Sequence, residues 1–408
     1  MSITWHTDDR LRHFTWERAV QGLAANLHWV QGQQVLLADD SDVGIGLACG
    51  PLHGLLLDDL APGSGLAAAR TFLARQRADG QFPSTVCAAK TDFDHVHEVV
   101  PLMAIAYELW QRTRDGDFLA AAYAAGVRWD AWLARQRGQQ GAELSSAIYG
   151  MHLALARMAA ALSPGRGQDP VAHVWRQRAE RIREVLVQRR WSRDVANQHH
   201  GLHPLLEGLV DQPTFERIWA AQVVADDIQT ALRTLVWLEH YGKYVAQATL
   251  LTRWSARLCA RPTFRQWAEL HLGHTRPSAT GDSSAMLLFT ESVARLYGVH
   301  RSAGGLAWNC RSTPEGTWHA YTLHAADVGD LCVQQRHDTT TLLRSGEVLA
   351  TVRISGPSSE TVACRVLTDG RGRVAGLLGT APVTTAVTIT CDGATQQLSV
   401  APDAVITL

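Results

Sequence analysis

The densest polar loop of the chain is the segment TDFDHVHE at 91–98. It contains Asp92, Asp94, His95 and His97. Two carboxyl groups close together raise the pKa of one of them, as a general acid at neutral pH requires. The same residues also fit a helix start with Asp94 as the N-cap, or a His-x-His metal site that needs a third ligand. The segment therefore predicts a carboxyl pair, with the helix cap and the metal site as alternatives.

A second polar segment lies at 37–59. Asp39, Asp40 and Asp42 come directly before a glycine-rich stretch there. Carboxylate oxygens accept hydrogen bonds from hydroxyl groups. We therefore take Asp42 as a candidate substrate-binding residue.

The chain has 18 histidines, and three of them, His199, His200 and His203, form a cluster. Paired histidines can remove a proton next to a carbonyl group and return it, as sugar epimerases and isomerases do. This chemistry gives an alternative enzyme class, with His95, His97 or His203 as its residues. Histidines at the surface or at helix ends are the other interpretation.

Fourteen tryptophans is a high number for 408 residues. Aromatic rings offer apolar faces on which sugar rings stack. Most of the tryptophans lie inside helical patterns and fit a core. Three lie near predicted loops and are candidate substrate-binding residues: Trp219, Trp267 and Trp308.

Hydrophobic spacing predicts paired helices from about residue 9 to residue 298. Apolar residues recur at i, i+3, i+4 and i+7 in six long segments: 97–113, 117–137, 144–162, 170–191, 226–242 and 244–260. After Gly304 and Gly305 the chain becomes rich in Val, Thr and Gly, and short alternating runs such as EVLATVRIS predict antiparallel strands. We therefore expect a helical domain at 1–300 and a β-sandwich-like domain at 301–408.

Composition narrows the class of protein. Net charge is −1, so nothing in the charge indicates binding to nucleic acid or to an anionic membrane. The N-terminus carries charges where a signal peptide needs an apolar run, and no stretch of 18 apolar residues occurs. The seven cysteines are scattered without CxxC spacing, which fits reduced thiols. We expect a cytoplasmic protein.

Several segments, in the same order along the chain, resemble the six-hairpin glycosidases, the group that includes trehalase and mannosylglycerate hydrolase. The segments are AAARTFLARQRADGQFPSTV at 67–86, the hairpin at 97–133, VWRQRAERIREVLVQRRW at 174–191, HHGLHPLLEGLVDQPTFERI at 199–218, the helix pair at 235–251 and the closing segment at 267–298. The resemblance implies a mainly α fold, an (α/α)6 toroid followed by the antiparallel β domain.

The resemblance also implies site residues. Glu269, which stands before the pair Thr280-Gly281, matches the position of the family's general base. The family's general acid lies in a long loop, which is only the seven residues 137–143 here. The acid is therefore assigned to the polar loop at 91–98, with Asp94 first and Asp92 beside it.

The sequence thus predicts an inverting glycoside hydrolase that acts on a small, soluble, α-linked glycoside. Such an enzyme needs a carbohydrate substrate and neither a cofactor nor a metal, and a homodimer is possible. The alternatives are the histidine-dependent epimerase and a sugar-binding or accessory protein without catalysis.

Overall fold

A computed structural model describes most of the chain. The described residues are 3–30, 32–37, 45–46, 50–87, 91–93, 102–135, 142–163, 169–188, 228–240, 242–260, 283–302, 305–313, 317–325, 329–355, 362–369 and 373–408.

Contacts between residues divide the chain into two compact units. The first unit contains residues 1–25, 59–62 and 227–408, and the second contains 26–58 and 63–226. The domain division at residue 300 stays a prediction about which parts of the chain fold independently.

The helices of the described residues are α1 (Arg10–Ala25), α2 (Gly50–Leu57), α3 (Ser64–Leu73), α4 (Leu102–Thr113), α5 (Gly116–Arg135), α6 (Ala142–Leu162), α7 (Pro170–Gln188), α8 (Ile228–His240), α9 (Tyr244–Cys259) and α10 (Ser283–Tyr297). Six of them, α4 to α9, lie in the segments predicted from hydrophobic spacing. None of the helices in the described part of the chain is long and apolar enough to cross a membrane.

Six short strands precede or interrupt the helices, and eleven follow α10 in the described residues. They are β1 (Ile3–Thr7), β2 (Leu27–Val30), β3 (Gln33–Leu36), β4 (Ile45–Gly46), β5 (Thr85–Val86), β6 (Thr91–Asp92), β7 (Val299–Ser302), β8 (Gly305–Arg311), β9 (Trp318–Ala325), β10 (Gly329–Arg336), β11 (Thr339–Arg344), β12 (Glu347–Ser355), β13 (Val362–Thr368), β14 (Val374–Gly379), β15 (Thr385–Cys391), β16 (Ala394–Val400) and β17 (Val405–Thr407).

The first unit contains two antiparallel sheets. One has seven strands in the order β1-β9-β10-β11-β12-β15-β16, and the other has five in the order β17-β14-β13-β8-β7. Strands β10, β11 and β12 contact β8 of the other sheet. Alternate residues point to opposite faces of a strand, so each sheet turns one apolar face inward. Trp308 on β8 and Tyr321 on β9 are fully buried there.

Helix α10 lies in the interior of the first unit, and all of its residues are buried. It contacts helices α1, α8 and α9 and also strands β7, β8 and β9. A helix that is covered on every side buries charged residues only when they are paired. Glu291 and Arg295 of α10 meet that condition, because they form an ion pair with each other.

The described residues of the second unit form helices α2 to α7 and two small antiparallel sheets, one of two strands (β2-β3) and one of three (β4-β5-β6). Helix α5 begins after Asp115, whose carboxylate accepts a hydrogen bond from the main-chain N–H of Phe118 at 2.9 Å. This is the geometry of an N-cap, which satisfies one of the free N–H groups at a helix start. The sequence places an aspartate at the same point where the structure begins the helix.

A tight turn follows α3 at Asp79-Gly80. Gly80 has φ +99°, a conformation that favours glycine, and its N–H donates to the main-chain oxygen of Arg77. The side chain of Gln76 spans the turn, because its Nε2 donates to the main-chain oxygens of Gly80 at 2.9 Å and Ala125 at 2.8 Å. The turn is thereby tied to helix α5.

We expect Gly80→Ala to lower the free energy of unfolding by about 2 kcal/mol or more. A Cβ at this position would lie 2.2 Å from the main-chain oxygen of Arg128, and the backbone would also be strained. Gly116→Ala is the matched control, because a Cβ there meets no atom within 4 Å. Urea denaturation of both variants checks this. Equal stability of the two variants would contradict the steric argument.

The fold class predicted from the sequence, a mainly α (α/α)6 toroid followed by an antiparallel β domain, is wrong. The described residues contain a seven-stranded antiparallel sheet, and its edge strand β1 precedes the first helix. The helices fall into two units, and in the first of them α1, α9 and α10 pack on strands. An amphipathic pattern shows that a helix covers something apolar, but it does not distinguish another helix from a sheet.

Candidate functional site

Two of the site residues predicted from the sequence, Asp92 and Trp308, lie in the described part of the chain. The others lie outside the described residues, and their roles stay predictions: Glu269, Asp94, His95, His97, His203, Asp42, Trp219 and Trp267.

Asp92 lies in the two-residue strand β6, which pairs with β5. Its main-chain oxygen accepts hydrogen bonds from the N–H of Ser84 at 2.8 Å and from the Ser84 hydroxyl at 3.1 Å. The next residue, Phe93, accepts a bond from Gln81 Nε2 at 2.7 Å. These hydrogen bonds fix the main chain at Asp92 and Phe93. The side chain of Asp92 is half-buried.

Trp308 lies on β8, between Val299 of β7 and Val366 of β13. Its exposed fraction is 0%, so the ring offers no face to solvent. This position fits the core of the two sheets and gives no support to a sugar-stacking role. The loop signal at Gly304-Gly305 suggested exposure, but β8 is an inner strand with a neighbour on each side.

The first unit contains a pair of carboxylates that the sequence reasoning missed. Arg295 of α10 donates from Nη1 to Glu239 Oε2 at 2.6 Å and from Nε to Glu291 Oε2 at 2.7 Å. Glu239 belongs to the last turn of α8, so one guanidinium joins two helices. We call these three residues the carboxylate–arginine cluster.

Burial differs within the carboxylate–arginine cluster. The side chains of Arg295 and Glu291 are 9% and 10% exposed, whereas that of Glu239 is 29% exposed. Burial by itself lowers the pKa of Arg295, but the two carboxylates outweigh it and raise that pKa above its ordinary value. Arg295 therefore stays charged, and Glu239 is the member of the cluster that reaches solvent.

A second guanidinium, that of Arg365 on β13, lies near the carboxylate–arginine cluster. Its Nε donates to Asn309 Oδ1 at 2.9 Å, and its Nη2 has no hydrogen-bond partner among the described residues. Burial, and then repulsion by Arg295, lower the pKa of Arg365 to about 10. Asn309 in turn donates to the main-chain oxygens of Ala294 and Gly298, so the end of α10 fixes this arrangement.

Tyr244, at the start of α9, faces the same cluster. Burial and the neighbouring Glu239 carboxylate raise the pKa of its phenol, so Tyr244 is neutral at physiological pH. The next residue, Val245, donates its main-chain N–H to Asp403 Oδ1 at 2.9 Å, which fixes the helix start. The ionised, half-exposed carboxylate of Glu239 therefore lies near a neutral phenol and two buried cations, Arg295 and Arg365. Such a carboxylate can accept a proton from water.

Part of the cluster has a signal in the sequence. Glu291 and Arg295 stand four residues apart on one helix, a spacing at which side chains meet. Such pairs are usually surface pairs, and the sequence gives no reason to single this one out. Glu239 lies 56 residues before Arg295, and only the packing of α8 against α10 joins them.

The second unit contains a buried histidine that is also absent from the predictions. His152 Nε2 lies 2.7 Å from Asp130 Oδ1, and Arg178 Nη1 donates to Asp130 Oδ2 at 2.7 Å. The imidazole lies against the ring of Trp175, with centroids 5.3 Å apart. His152 is 5% exposed, and its Nδ1 has no partner within the part of the chain that is described. The group joins helices α5, α6 and α7, which is a structural role.

Comparison with known proteins identifies no family for this chain. No family model matches the chain, and no curated protein matches it. Among solved structures, a chain described as a sialidase superposes with a TM-score of 0.48 and 12% sequence identity over 85% of this chain. The alignment covers 40% of the sialidase chain, so this chain spans well under half of that protein's length.

Proposed function

We propose that the protein is a glycoside-processing enzyme that hydrolyses a small, soluble glycoside. The observation that supports this proposal is the half-exposed carboxylate of Glu239, held by the buried guanidinium of Arg295. Hydrolysis of a glycoside requires one ionised carboxylate and one protonated carboxyl group. The carboxylate–arginine cluster supplies the ionised one.

The role of Glu239 follows from its surroundings. An adjacent cation favours the charged form of a carboxylate, and Glu239 is bonded to Arg295. Glu291 shares that guanidinium but is almost fully buried, so it orients Arg295 and does not reach a substrate. In this proposal Glu239 accepts the proton of the attacking water, and Arg295 and Glu291 are positioning residues.

The roles of Glu269 as base and of Asp94 as acid are predictions from the sequence, and the activity measurements below test that of Glu269. The finer expectation, inversion at an α-linked glycoside, also comes from the sequence. Proton NMR of the first product anomer distinguishes inversion from retention.

We expect Glu239→Gln to lower kcat on nitrophenyl α-glycosides by about 10²–10⁴-fold, because the amide cannot accept the proton. Glu291→Gln is the matched variant: it also removes one partner of Arg295, but it leaves the half-exposed carboxylate in place. We expect that variant to keep its activity within about tenfold. Thermal melting of both variants, measured beside kcat, separates chemistry from unfolding.

Two results would contradict the assignment of Glu239. One is full activity of a folded Glu239→Gln protein, and the other is equal loss of activity in the two variants. Glu180→Gln, which removes an exposed partner of Arg183 on helix α7, should change neither activity nor melting. If Glu269→Gln alone abolishes activity, the base predicted from the sequence is correct. If the parent protein cleaves no glycoside, the proposed function is wrong.

A further inference from the structure

A solvent-open depression with a volume of about 410 Å³ lies at the ends of four strands in the first unit. Its lining is polar: Ser312, His337, Asp338, Arg353, Ser355 and Thr388, with Ile354 as the one aliphatic residue. Small-molecule sites have volumes of this order and use a few convergent polar groups to orient the ligand. The depression is separate from the carboxylate–arginine cluster, with which it shares no residue.

The main chain around the depression is held by hydrogen bonds between strands. His337 and Asp338 form the two-residue turn between β10 and β11, and His337 has φ +52°, a conformation uncommon for any residue except glycine. The N–H of Thr313 donates to the oxygen of His337, and the N–H of Ile354 donates to the oxygen of Asp338, both at 2.8 Å. The turn is therefore fixed from both sides.

The side chains keep hydrogen-bonding capacity that faces outward. Arg353 donates from Nε to Asp338 Oδ2 at 2.7 Å, and its terminal amino groups donate to no other side chain among the described residues. Asp338 Oδ1 accepts from Thr339 Oγ1 at 2.8 Å, and each carboxylate oxygen can accept a further bond. The side chain of Arg353 is 69% exposed, so its amino groups are accessible to a ligand.

His337 adds an acceptor. Its Nδ1 lies 3.3 Å from the main-chain oxygen of Thr313, which can only accept a hydrogen bond. Nδ1 therefore carries the proton in the neutral imidazole, and Nε2 carries the lone pair. Together with the hydroxyls of Ser312, Ser355 and Thr388, the depression offers donors and acceptors side by side.

The charges of the residues that line the depression favour a neutral ligand over an anion. The hydrogen bond from Arg353 lowers the pKa of the Asp338 carboxyl below its ordinary value, so Asp338 is ionised at neutral pH. Its charge balances that of Arg353, so the described lining residues carry no net positive charge that would attract an anion. A ligand with two adjacent hydroxyl groups suits this pair, because one hydroxyl can donate to the carboxylate and the other can accept from the guanidinium.

We propose that the depression lined by His337, Asp338, Arg353 and Thr388 binds a neutral polyhydroxylated ligand of the size of one or two sugar rings. Asp338 and Arg353 bind two adjacent hydroxyls, and His337 Nε2 accepts from a third. The site is a binding site without chemistry of its own, and it does not depend on Glu239 or on hydrolysis.

Saturation-transfer NMR and calorimetry on the full chain test the proposal with methyl α-D-glucoside, methyl α-D-mannoside and trehalose as probes. We expect a Kd of about 1 mM, since the described lining residues include no Trp, Tyr or Phe ring for stacking. Asp338→Asn and Arg353→Gln should each weaken binding about tenfold and leave thermal melting unchanged, because their ion pair is exposed. The measurements use the Glu239→Gln background, so that hydrolysis of a probe does not interfere.

Arg373→Gln is the matched control, because Arg373 and Asp369 form a similar exposed pair, 70% and 32% exposed, away from the depression. It should bind like the parent protein. The proposal is overturned if no probe binds, if inorganic phosphate binds in place of the sugars, or if the two depression variants bind as the control does. If the Glu239→Gln protein binds a probe but the parent protein hydrolyses no glycoside, only the proposed function is wrong.

Discussion

Replacement of Arg295 by methionine is expected to lower the free energy of unfolding by about 3–5 kcal/mol, a large effect for one side chain. The substitution leaves Glu291 almost fully buried and Glu239 half-buried without the guanidinium that both contact. An ionised carboxylate without a partner in the protein interior costs several kcal/mol. One opposing effect limits the loss, because Arg295 also repels the nearby Arg365.

A triple variant separates the charge effect from lost packing. When Glu239→Gln and Glu291→Gln accompany Arg295→Met, no carboxylate remains unpaired, and much of the lost stability should return. Urea denaturation of the single and triple variants measures the difference, with Arg373→Gln as an exposed-arginine control expected to change stability by less than about 0.5 kcal/mol. If the triple variant is as unstable as Arg295→Met, the packing of the arginine, and not its charge, holds α8 to α10.

Acid is expected to destabilise the protein through His319, by about 3 kcal/mol between pH 7 and pH 4. His319 lies on β9 and is 5% exposed, with its ring stacked on Trp5 at 6.0 Å between centroids. Burial, then the charges of Arg311 and Arg12, lower its pKa from 6.5 to about 3. The folded protein therefore holds this histidine neutral.

The direction of the effect follows from proton binding. Between pH 6.5 and pH 3 the unfolded chain protonates this histidine and the folded chain does not, so stability rises with pH in that window. The contribution is complete above pH 6.5 and is lost as the pH falls toward 3. His319→Phe keeps the aromatic contacts with Trp5 and Tyr297 and cannot titrate.

Urea denaturation at pH 7, 5.5 and 4 checks this expectation. The parent protein should lose about 3 kcal/mol more than His319→Phe over this range. His28→Gln is the control, because His28 is exposed and its replacement should leave the slope unchanged. If the parent and His319→Phe lose stability in parallel, His319 is not the group that makes the protein sensitive to acid.

Local patterns in the sequence located several of the described helices and one of the described strands. The helices predicted at 117–137, 144–162 and 244–260 correspond to Gly116–Arg135, Ala142–Leu162 and Tyr244–Cys259. The alternating run EVLATVRIS is strand β12, with the bounds Glu347–Ser355. These predictions are confirmed because periodicity, caps and breakers act within a few residues of one another.

The site was much less predictable. Trp308 was taken as a loop residue that could stack on a sugar, and the structure buries it on an inner strand. The carboxylate–arginine cluster depends on α8 and α10 lying side by side. No local spacing in the sequence predicts that contact. A functional role predicted from one residue type near a turn is therefore less reliable than a helix or strand predicted from a periodic pattern.

The sequence by itself located helices such as α5, α6 and α9 and strand β12, because their limits depend on neighbouring residues. Only the tertiary structure decided what each apolar face covers. Strand β1 pairs Trp5 with Tyr321 of β9, a contact between distant parts of the chain, and α10 packs against both helices and strands. An apolar stripe is complementary to any apolar surface, since the hydrophobic effect is non-directional. For that reason the same pattern was compatible with a toroid, whereas in the first unit α1, α9 and α10 pack on strands of the two antiparallel sheets.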